Sequence, residues 1–204
     1  MMQRDSAGNT SAIILAGGKS LRMGTPKYLL PFAGEPLITH IVRRLQNLFA
    51  DVVVVAAADQ SLPSMPARVV RDELPHQGPV GGILYGLRAA AQEIAFVTAC
   101  DAPFLNLTLI QSLLSALGAA DVAVPFWQDR LQPLHAVYRS TVKPLLEQQL
   151  SDGRLRPTFL YERVTTRIVS EAELLQIDPE GLSFININTP EEYHRALRRW
   201  SSLP

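Results

Sequence analysis

Apolar runs alternate with helical patterns along most of this 204-residue chain. The runs at residues 11–14, 51–56 and 94–100 are short and continuous, which is typical of strands covered on both faces. Between them, apolar residues recur at intervals of three and four, the spacing of one face of a helix. Helices are predicted after Pro36 and after Gly82. The alternation predicts an α/β fold, a three-layer αβα sandwich built on a mostly parallel sheet.

The second half of the chain is less regular. A helix is predicted over residues 107–117, and strands are predicted at residues 121–124 and 183–188. Residues 127–130 resemble a hairpin turn, and Thr189 can cap a helix that begins with Pro190. No repeat or linker divides the sequence. We therefore expect a flexible N-terminal segment over residues 1–10 and one domain over residues 11–204.

Composition limits the partners and the compartment. Hydrophobic residues make up 47% of the chain, charged residues 19%, and the formal net charge is zero, so no overall basic field favours nucleic acid. The single cysteine, Cys100, excludes an intramolecular disulfide and fits a reducing compartment. No signal peptide is evident, and no run approaches the roughly 18 apolar residues that a membrane span needs. We expect a cytoplasmic protein with no nucleic-acid or membrane partner.

The first loop carries the strongest chemical signal. Paired glycines, Gly17 and Gly18, follow the first predicted strand, and Arg22 and Lys27 come within the next ten positions. Glycine lets backbone N–H groups approach a phosphate, arginine grips its oxygens as a planar fork, and lysine follows as a point charge. The loop is neither a P-loop, which would need glycine in place of Ile13, nor a GxGxxG fingerprint. It predicts a nucleotide site; the alternative is a glycine-rich turn with two solvated basic side chains.

Polar side chains also follow other predicted strands, whose carboxyl ends meet at one edge of a parallel sheet, where ligands bind. Asp101 is placed to hold Mg²⁺ together with phosphate oxygens, or else to cap the helix after Pro103. Asp72 can contact a base or a ribose, or lie in a solvated loop. Asn186 and Asn188 share one face of the late strand, so both amides can face one ligand or only shape the following turn.

Two further reactive side chains are assigned to the core. Cys100 is interpreted as a buried strand residue rather than a nucleophile, because no histidine that could act as its base lies near it in sequence. His135 lies within an apolar run and is interpreted as a core histidine with satisfied hydrogen bonds rather than a ligand. No metal-ligand spacing joins the four histidines.

In combination, these patches resemble the molybdenum cofactor guanylyltransferases, the molybdopterin-guanine dinucleotide biosynthesis protein A family. That family belongs to the nucleotidyltransferases with a Rossmann-like sheet of the nucleotide-diphosphosugar transferase (glycosyltransferase-A) type. The resemblance runs from residue 13 to about residue 197. It is carried by LAGGxSxRMGxxKxLL at residues 15–30, by GPVGGI at 78–83 (GPLxGI in the family), by CDxPFL at 100–105 and by NxNTPE at 186–191, with the segment 133–138 between the last two.

The resemblance implies transfer of GMP from GTP to the phosphate of molybdenum-loaded molybdopterin, with Mg²⁺ as cofactor and pyrophosphate as the leaving group. Molybdoenzymes and their chaperones would be further partners. The implied roles are nucleotide contact through the backbone for Leu15, Ala16, Gly17 and Gly18, phosphate binding for Arg22 and Lys27, base or ribose contact for Asp72, Mg²⁺ binding for Asp101, and the pterin side for Asn186 and Asn188.

The chain departs from the family pattern at two places. Pro26 stands where members commonly carry aspartate, and Ala56–Ala58 stand where asparagine is often found. Together, the two departures argue against guanine specificity more than against nucleotidyl transfer, whereas the Gly17–Gly18 pair favours guanine. The alternatives are a cytidylyltransferase, a sugar- or polyol-phosphate nucleotidyltransferase, and a non-catalytic nucleotide-binding protein. Arg154 and Arg156 either bind the pterin phosphate or only end a helix.

Overall fold

A computed structural model describes residues 9–17, 25–72 and 77–203. Within these residues an extended sheet is flanked by helices, and short 3₁₀ turns connect several elements. The strands are β1 (Thr10–Leu15), β2 (Pro31–Phe32), β3 (Glu35–Pro36), β4 (Asp51–Ala57), β5 (Arg68–Asp72), β6 (Ile94–Ala99), β7 (Val122–Trp127), β8 (Arg130–Leu131), β9 (His135–Arg139) and β10 (Thr166–Val169). The helices are α1 (Leu37–Gln46), α2 (Gly78–Ala89), α3 (Leu107–Leu117), α4 (Lys143–Ser151), α5 (Glu171–Leu175) and α6 (Pro190–Ser201).

The main sheet has the strand order β10-β7-β9-β6-β1-β4-β5, and β8 pairs with β7 at its end. β1 pairs in parallel with both β4 and β6, so that Ile13 lies between Val53 and Val97. β9 runs antiparallel to its neighbours β6 and β7, and β10 pairs in parallel with β7. The prediction of a mostly parallel sheet is confirmed.

Both faces of the sheet are buried, which explains the continuous apolar runs. In β1, Ala12 and Ile14 belong to the core shared with α1 and α3, whereas Ile13 and Leu15 belong to the core shared with α2 and α4. α2 lies very close to the sheet at Gly86. A Cβ atom added at this glycine would stand 2.3 Å from Cγ2 of Ile13, so only glycine fits there without a shift. The predicted three-layer arrangement is therefore confirmed.

Several predicted boundaries shift by a few residues. β1 begins at Thr10, while residues 1–8 of the predicted N-terminal segment lie outside the described residues. The glycine-rich turn at residues 78–82 is the first turn of α2 itself, in which Pro79 fits because the first helical N–H groups have no partner within the helix. The hairpin turn is confirmed: Gln128 and Asp129 have φ values of 48° and 60°, as a two-residue turn between antiparallel strands requires.

The predicted strand at residues 183–188 is wrong. Residues Leu182–Phe184 form a 3₁₀ turn, and the segment that follows joins no sheet in the described part of the chain. The buried carboxylate of Asp178 accepts hydrogen bonds from the backbone N–H groups of Leu182 and Ser183, at 3.1 Å and 2.8 Å. These local bonds fix a turn where alternating apolar residues had indicated a strand.

None of the helices in the described residues has the length and apolar character that crossing a bilayer requires.

Candidate functional site

The carboxyl ends of four strands lie side by side at one edge of the sheet. Ala16 and Gly17 follow β1, Asp72 ends β5 opposite Ala57 of β4, and Asp101 follows β6. The backbone of Ala16 donates to the carbonyl of Val55 at 2.8 Å, which continues the β1–β4 pairing past the end of β1. Ligands of open α/β sheets bind at this edge, and this is where sequence reasoning predicted the nucleotide site.

At this edge the side chain of Lys27 contacts two residues that are distant in sequence, Asp101 and Asn188. It lies in a 3₁₀ turn, Lys27–Leu29, and its Nζ donates to Oδ2 of Asp101 at 3.1 Å and to Oδ1 of Asn188 at 2.7 Å. The Lys27 and Asp101 side chains are only 19% and 18% exposed. The structure thus brings together three of the predicted site residues, one cation, one carboxylate and one amide.

The segment after Asp101 is held by backbone contacts. The carbonyl of Asp101 accepts a hydrogen bond from the N–H of Ile187 at 2.9 Å. From α1, Nε2 of His40 lies 3.2 Å from the carbonyl of Pro103, and Arg44 donates to the carbonyl of Leu105. Because a carbonyl only accepts, the His40 tautomer that fits carries its proton on Nε2. These contacts fix the backbone from which the Asp101 carboxylate projects.

Asp101 does not cap the following helix. The cap of α3 is Asn106, whose Oδ1 accepts hydrogen bonds from the N–H groups of Thr108 and Leu109 at 3.0 Å and 3.2 Å. The capping alternative for Asp101 is therefore wrong, and its carboxylate is turned toward Lys27 instead.

Asn188 owes its position to the start of α6. Thr189 and Glu192 form a capping box, and the Glu192 carboxylate accepts hydrogen bonds from the backbone of both Asn188 and Thr189. Asn186 is exposed and lines a cavity on the far side of Asp101. With the strand absent, the two amides do not share a strand face: Asn188 contacts Lys27, and Asn186 belongs to the cavity.

The glycine loop is described only in part. Leu15 and Ala16 are buried, and Gly17 is exposed, with no atom of the described residues within 4 Å of the position that its Cβ would take. Among the described residues, therefore, none blocks the approach of a ligand to the Gly17 backbone. Gly18 and Arg22 lie outside the described residues, so their predicted roles stay predictions.

Sequence reasoning missed Gln60. Its Oε1 accepts a hydrogen bond from the N–H of Ala57 at 2.7 Å, and its Nε2 donates to the carbonyl of Ala16 at 2.9 Å. The amide therefore ties the end of β4 to the residue before Gly17, in the region where Ala56–Ala58 replace the polar residue often found in the resembled family. No motif marks Gln60, because its reach depends on how the loop after β4 folds back.

Cys100 and His135 are both buried, as predicted, but only the prediction for Cys100 holds in full. Burial, reinforced by the charge of Asp101, raises the pKa of the Cys100 thiol to about 12, so that it stays protonated and is not a nucleophile. His135 is 3% exposed, and burial lowers its pKa to about 4. It is a core histidine as predicted, but its hydrogen bonds are not satisfied: neither ring nitrogen has a partner in the described residues.

Comparison with known proteins agrees with this geometry. Residues 12–166 match the family model of the MobA-like NTP transferase domain. The chain belongs to the MobA-like NTP transferase family. Membership assigns it to the nucleotidyltransferases, and the matched region contains the strand ends and the Lys27–Asp101 pair described above.

Relatives of this MobA-like chain extend over nearly its whole length. A probable molybdenum cofactor guanylyltransferase of Carboxydothermus hydrogenoformans is 34% identical over 198 residues, covering 95% of this chain and 98% of the relative. Another, from Methanosarcina mazei, is 36% identical and covers 89% of this chain and 87% of the relative.

Solved structures of two nucleotide-related proteins have the same fold as this MobA-like chain. Molybdopterin-guanine dinucleotide biosynthesis protein A from Archaeoglobus fulgidus superposes with a TM-score of 0.80 at 24% identity, covering 95% of this chain and all of that one. The 2-C-methyl-D-erythritol 4-phosphate cytidylyltransferase of Thermus thermophilus gives a TM-score of 0.69 at 17% identity, covering 93% of this chain and 97% of that one. The predicted fold class is thereby confirmed.

The basic loop after α4 in this MobA-like chain is held through its backbone. Nε2 of Gln149 donates to the carbonyls of Arg154 and Arg156 at 2.9 Å and 2.8 Å. Both arginines are exposed, and the Arg154 guanidinium lies 5.6 Å from the centre of the Phe159 ring. These contacts describe how the helix ends; a phosphate-binding role for the guanidinium groups stays a prediction.

Proposed function

We propose that this chain transfers GMP from GTP to the phosphate of molybdenum-loaded molybdopterin, releasing pyrophosphate. The observation that carries the proposal is the contact of Lys27 with Asp101 and Asn188 at the carboxyl edge of the sheet. The choice of substrates is supported by the guanylyltransferase relatives, which match along nearly the whole chain.

The nucleotide would bind on the β1, β4 and β5 side of Asp101. The backbone of Leu15, Ala16, Gly17 and Gly18 would face its phosphates and nucleoside, and Asp72 would contact the base or the ribose. The exposure of Gly17 and the anchoring of Ala16 by Gln60 support this assignment, because both favour a fixed and accessible backbone.

Asp101 fits an Mg²⁺ ion that a nucleotide brings with it. Mg²⁺ in such sites is held by one or two carboxylates together with phosphate oxygens and water. The described residues contain no cluster of three or more acidic, histidine or cysteine ligands, so we do not propose a cage made of protein alone. Within those residues Asp101 receives one side-chain hydrogen bond, from Lys27 to Oδ2. The ion would neutralise phosphate charge and withdraw electrons from the α-phosphorus.

In the proposed reaction a phosphate oxygen of molybdopterin attacks the α-phosphorus of GTP. A new P–O bond forms, the bond to the β-phosphate oxygen breaks, and pyrophosphate leaves with the electron pair. The nucleophile is already an anion, so no strong general base is required. Lys27, together with Arg22, would stabilise the added negative charge, and Asn188 would orient the Lys27 ammonium. The product would then pass to molybdoenzymes and their chaperones.

The test is pyrophosphate release with molybdenum-loaded molybdopterin, comparing GTP, CTP, ATP and UTP with and without Mg²⁺. We expect release with GTP, dependent on Mg²⁺, and its loss in the Asp101→Asn variant. Release with CTP instead would retain the reaction class and reject guanylyl transfer. No release with any of the four nucleotides would reject nucleotidyl transfer to this acceptor.

A further inference from the structure

A cavity of about 210 Å³ lies next to Asp101, on the side of the sheet away from β4 and β5. One wall comes from the start of β9 and the residues before it, and the other from the turn and loop before α6. The side chains that matter are those of Ala102, Gln132, His135, Ser183, Phe184 and Asn186. Pockets for drug-sized ligands usually measure about 300–1,000 Å³, so this smaller cavity suits one ring system rather than a whole nucleotide.

Buried polar atoms without partners cluster beside this cavity. His135 lines it, and both of its ring nitrogens are buried with no hydrogen-bond partner in the described residues. Thr98 lies directly opposite His135 in the β6–β9 pairing, and its Oγ1 is equally buried and unpaired. An unsatisfied buried polar group costs about 1–3 kcal/mol. Three such atoms on two facing residues indicate that something outside the described residues completes their hydrogen bonds.

The lining also offers flat aromatic surface and amide groups. The Phe184 ring lies 5.1 Å from the His135 ring, edge to face, and stacks on Trp127 at 5.1 Å with an interplanar angle of 21°. Within the described part of the chain, the Gln132 amide nitrogen donates only long hydrogen bonds, of 3.4 Å and 3.5 Å, to backbone carbonyls. Asn186 adds a second amide at the exposed rim. Amides, an imidazole and aromatic faces together recognise a planar heterocycle rich in donors and acceptors.

We propose that this cavity holds the pterin ring of the acceptor and that His135 selects the ring by hydrogen bonding to its edge. The inference rests on the proposed guanylyl transfer and adds to it the residues that choose the acceptor. Ala102 adjoins Asp101, and Asn186 is two residues from Asn188, so a ring in the cavity has its phosphate directed toward Lys27. The nucleotide and the pterin then approach the Lys27–Asp101 pair from opposite sides.

The state of the imidazole suits this role. Burial keeps the His135 ring neutral at pH 7, so it presents one donor and one acceptor nitrogen. Protein atoms cover both nitrogens, so the pterin reaches them only when a lining side chain changes rotamer. Asn186 lies at the exposed rim and Phe184 is half-buried, both in a segment that joins no sheet in the described residues. Movement of either side chain disrupts no strand pairing.

The test compares the wild-type enzyme with His135→Phe, which keeps a ring between Phe96 and Phe184 and removes both nitrogens. We expect the KM for molybdopterin to rise about tenfold, with the KM for GTP unchanged and no fall in melting temperature. His135→Gln restores polar atoms and should recover part of the acceptor affinity. Val142→Ala is the matched control: it truncates a buried side chain of the opposite core and should lower the melting temperature without changing either KM.

The outcomes separate this inference from the proposed function. If the wild type transfers GMP to molybdopterin and His135→Phe leaves the acceptor KM unchanged, the inference is overturned and the proposed function stands. If the wild type transfers nothing to molybdopterin, the proposed function fails, and fluorescence titration with 6-hydroxymethylpterin alone decides the cavity. Pterin binding that His135→Phe weakens would support the inference; absence of binding, or equal binding by the variant, would overturn it.

Discussion

Mild acid should destabilise this protein through His135. Burial lowers the pKa of His135 from 6.5 to about 4 in the folded state, with Asp178 opposing the shift. The unfolded chain therefore takes up a proton at this position before the folded chain does. The sign follows from proton linkage: the contribution of His135 to stability is complete above pH 6.5 and is lost as the pH falls toward 4.

The size of the effect follows from the same shift. One pKa unit corresponds to 1.36 kcal/mol, so a shift from 6.5 to about 4 is worth about 3 kcal/mol when the titration is complete. Most of it appears early: between pH 7.5 and pH 5, the expected loss in the free energy of unfolding is about 2 kcal/mol. That is a large share of the stability of an ordinary domain.

Urea denaturation at pH 7.5, 6.5, 5.5 and 5.0 measures this loss in the wild type and in His135→Phe. The variant should be at least as stable at pH 7.5, because no described residue pairs with the ring nitrogens, and its stability should fall about 2 kcal/mol less on going to pH 5. Burial also lowers the pKa of His40, but that contribution is common to both proteins and cancels in the difference. Parallel curves for the two proteins would refute the argument, since they would mean that the folded state protonates His135 as readily as the unfolded chain does.

The other predictions concern the site and the packing around it. Lys27→Ala and Asp101→Asn should each lower kcat by at least tenfold with the melting temperature retained, because one charged contact to a transition state is worth about two decades in rate; near-normal kcat in either variant would remove that residue from the proposed mechanism. Gly86→Ala should lower the free energy of unfolding by about 1–3 kcal/mol, because the new methyl group would overlap Ile13. An unchanged urea denaturation curve would mean that α2 can move away from the sheet without loss of stability. Thr189→Ala should cost about 1 kcal/mol through loss of the α6 cap, whereas Thr189→Ser should cost much less if the hydroxyl is what matters.

The sheet could be predicted because its central strands are buried on both faces. β1 and β4 are covered on both faces, so every position from Ala12 to Leu15 is apolar, and no helical period competes with that run. The position of Asp101 at the same sheet edge as the end of β1 could also be anticipated, because parallel strands place their carboxyl ends at a common edge. The resemblance to known guanylyltransferases then singled out Lys27 and Asp101, which the structure joins by an ion pair.

Features that depend on long side chains reaching across loops could not be predicted. Asp178 turns the segment that follows it into a 3₁₀ turn through two hydrogen bonds, a local competition that apolar alternation does not reveal. Gln60 reaches back to Ala16 from a stretch without a motif. For His135, apolar neighbours indicated burial correctly, but whether its nitrogens find partners depends on the residues packed opposite it, which no pattern along the chain specifies.

The last helix has a consequence for how this protein is made. Trp200 packs against Phe32 and His40, and the Tyr193 hydroxyl donates to the carbonyl of Pro31. The start of the same helix fixes Asn188 beside Lys27. During synthesis the chain therefore lacks both the Asn188 amide and the contacts of α6 with residues 31–40 until α6 has left the ribosome. Chains that stop before α6 should form much of the sheet but lack the Asn188 contact to Lys27, so we expect the site to be completed only after the sheet has formed.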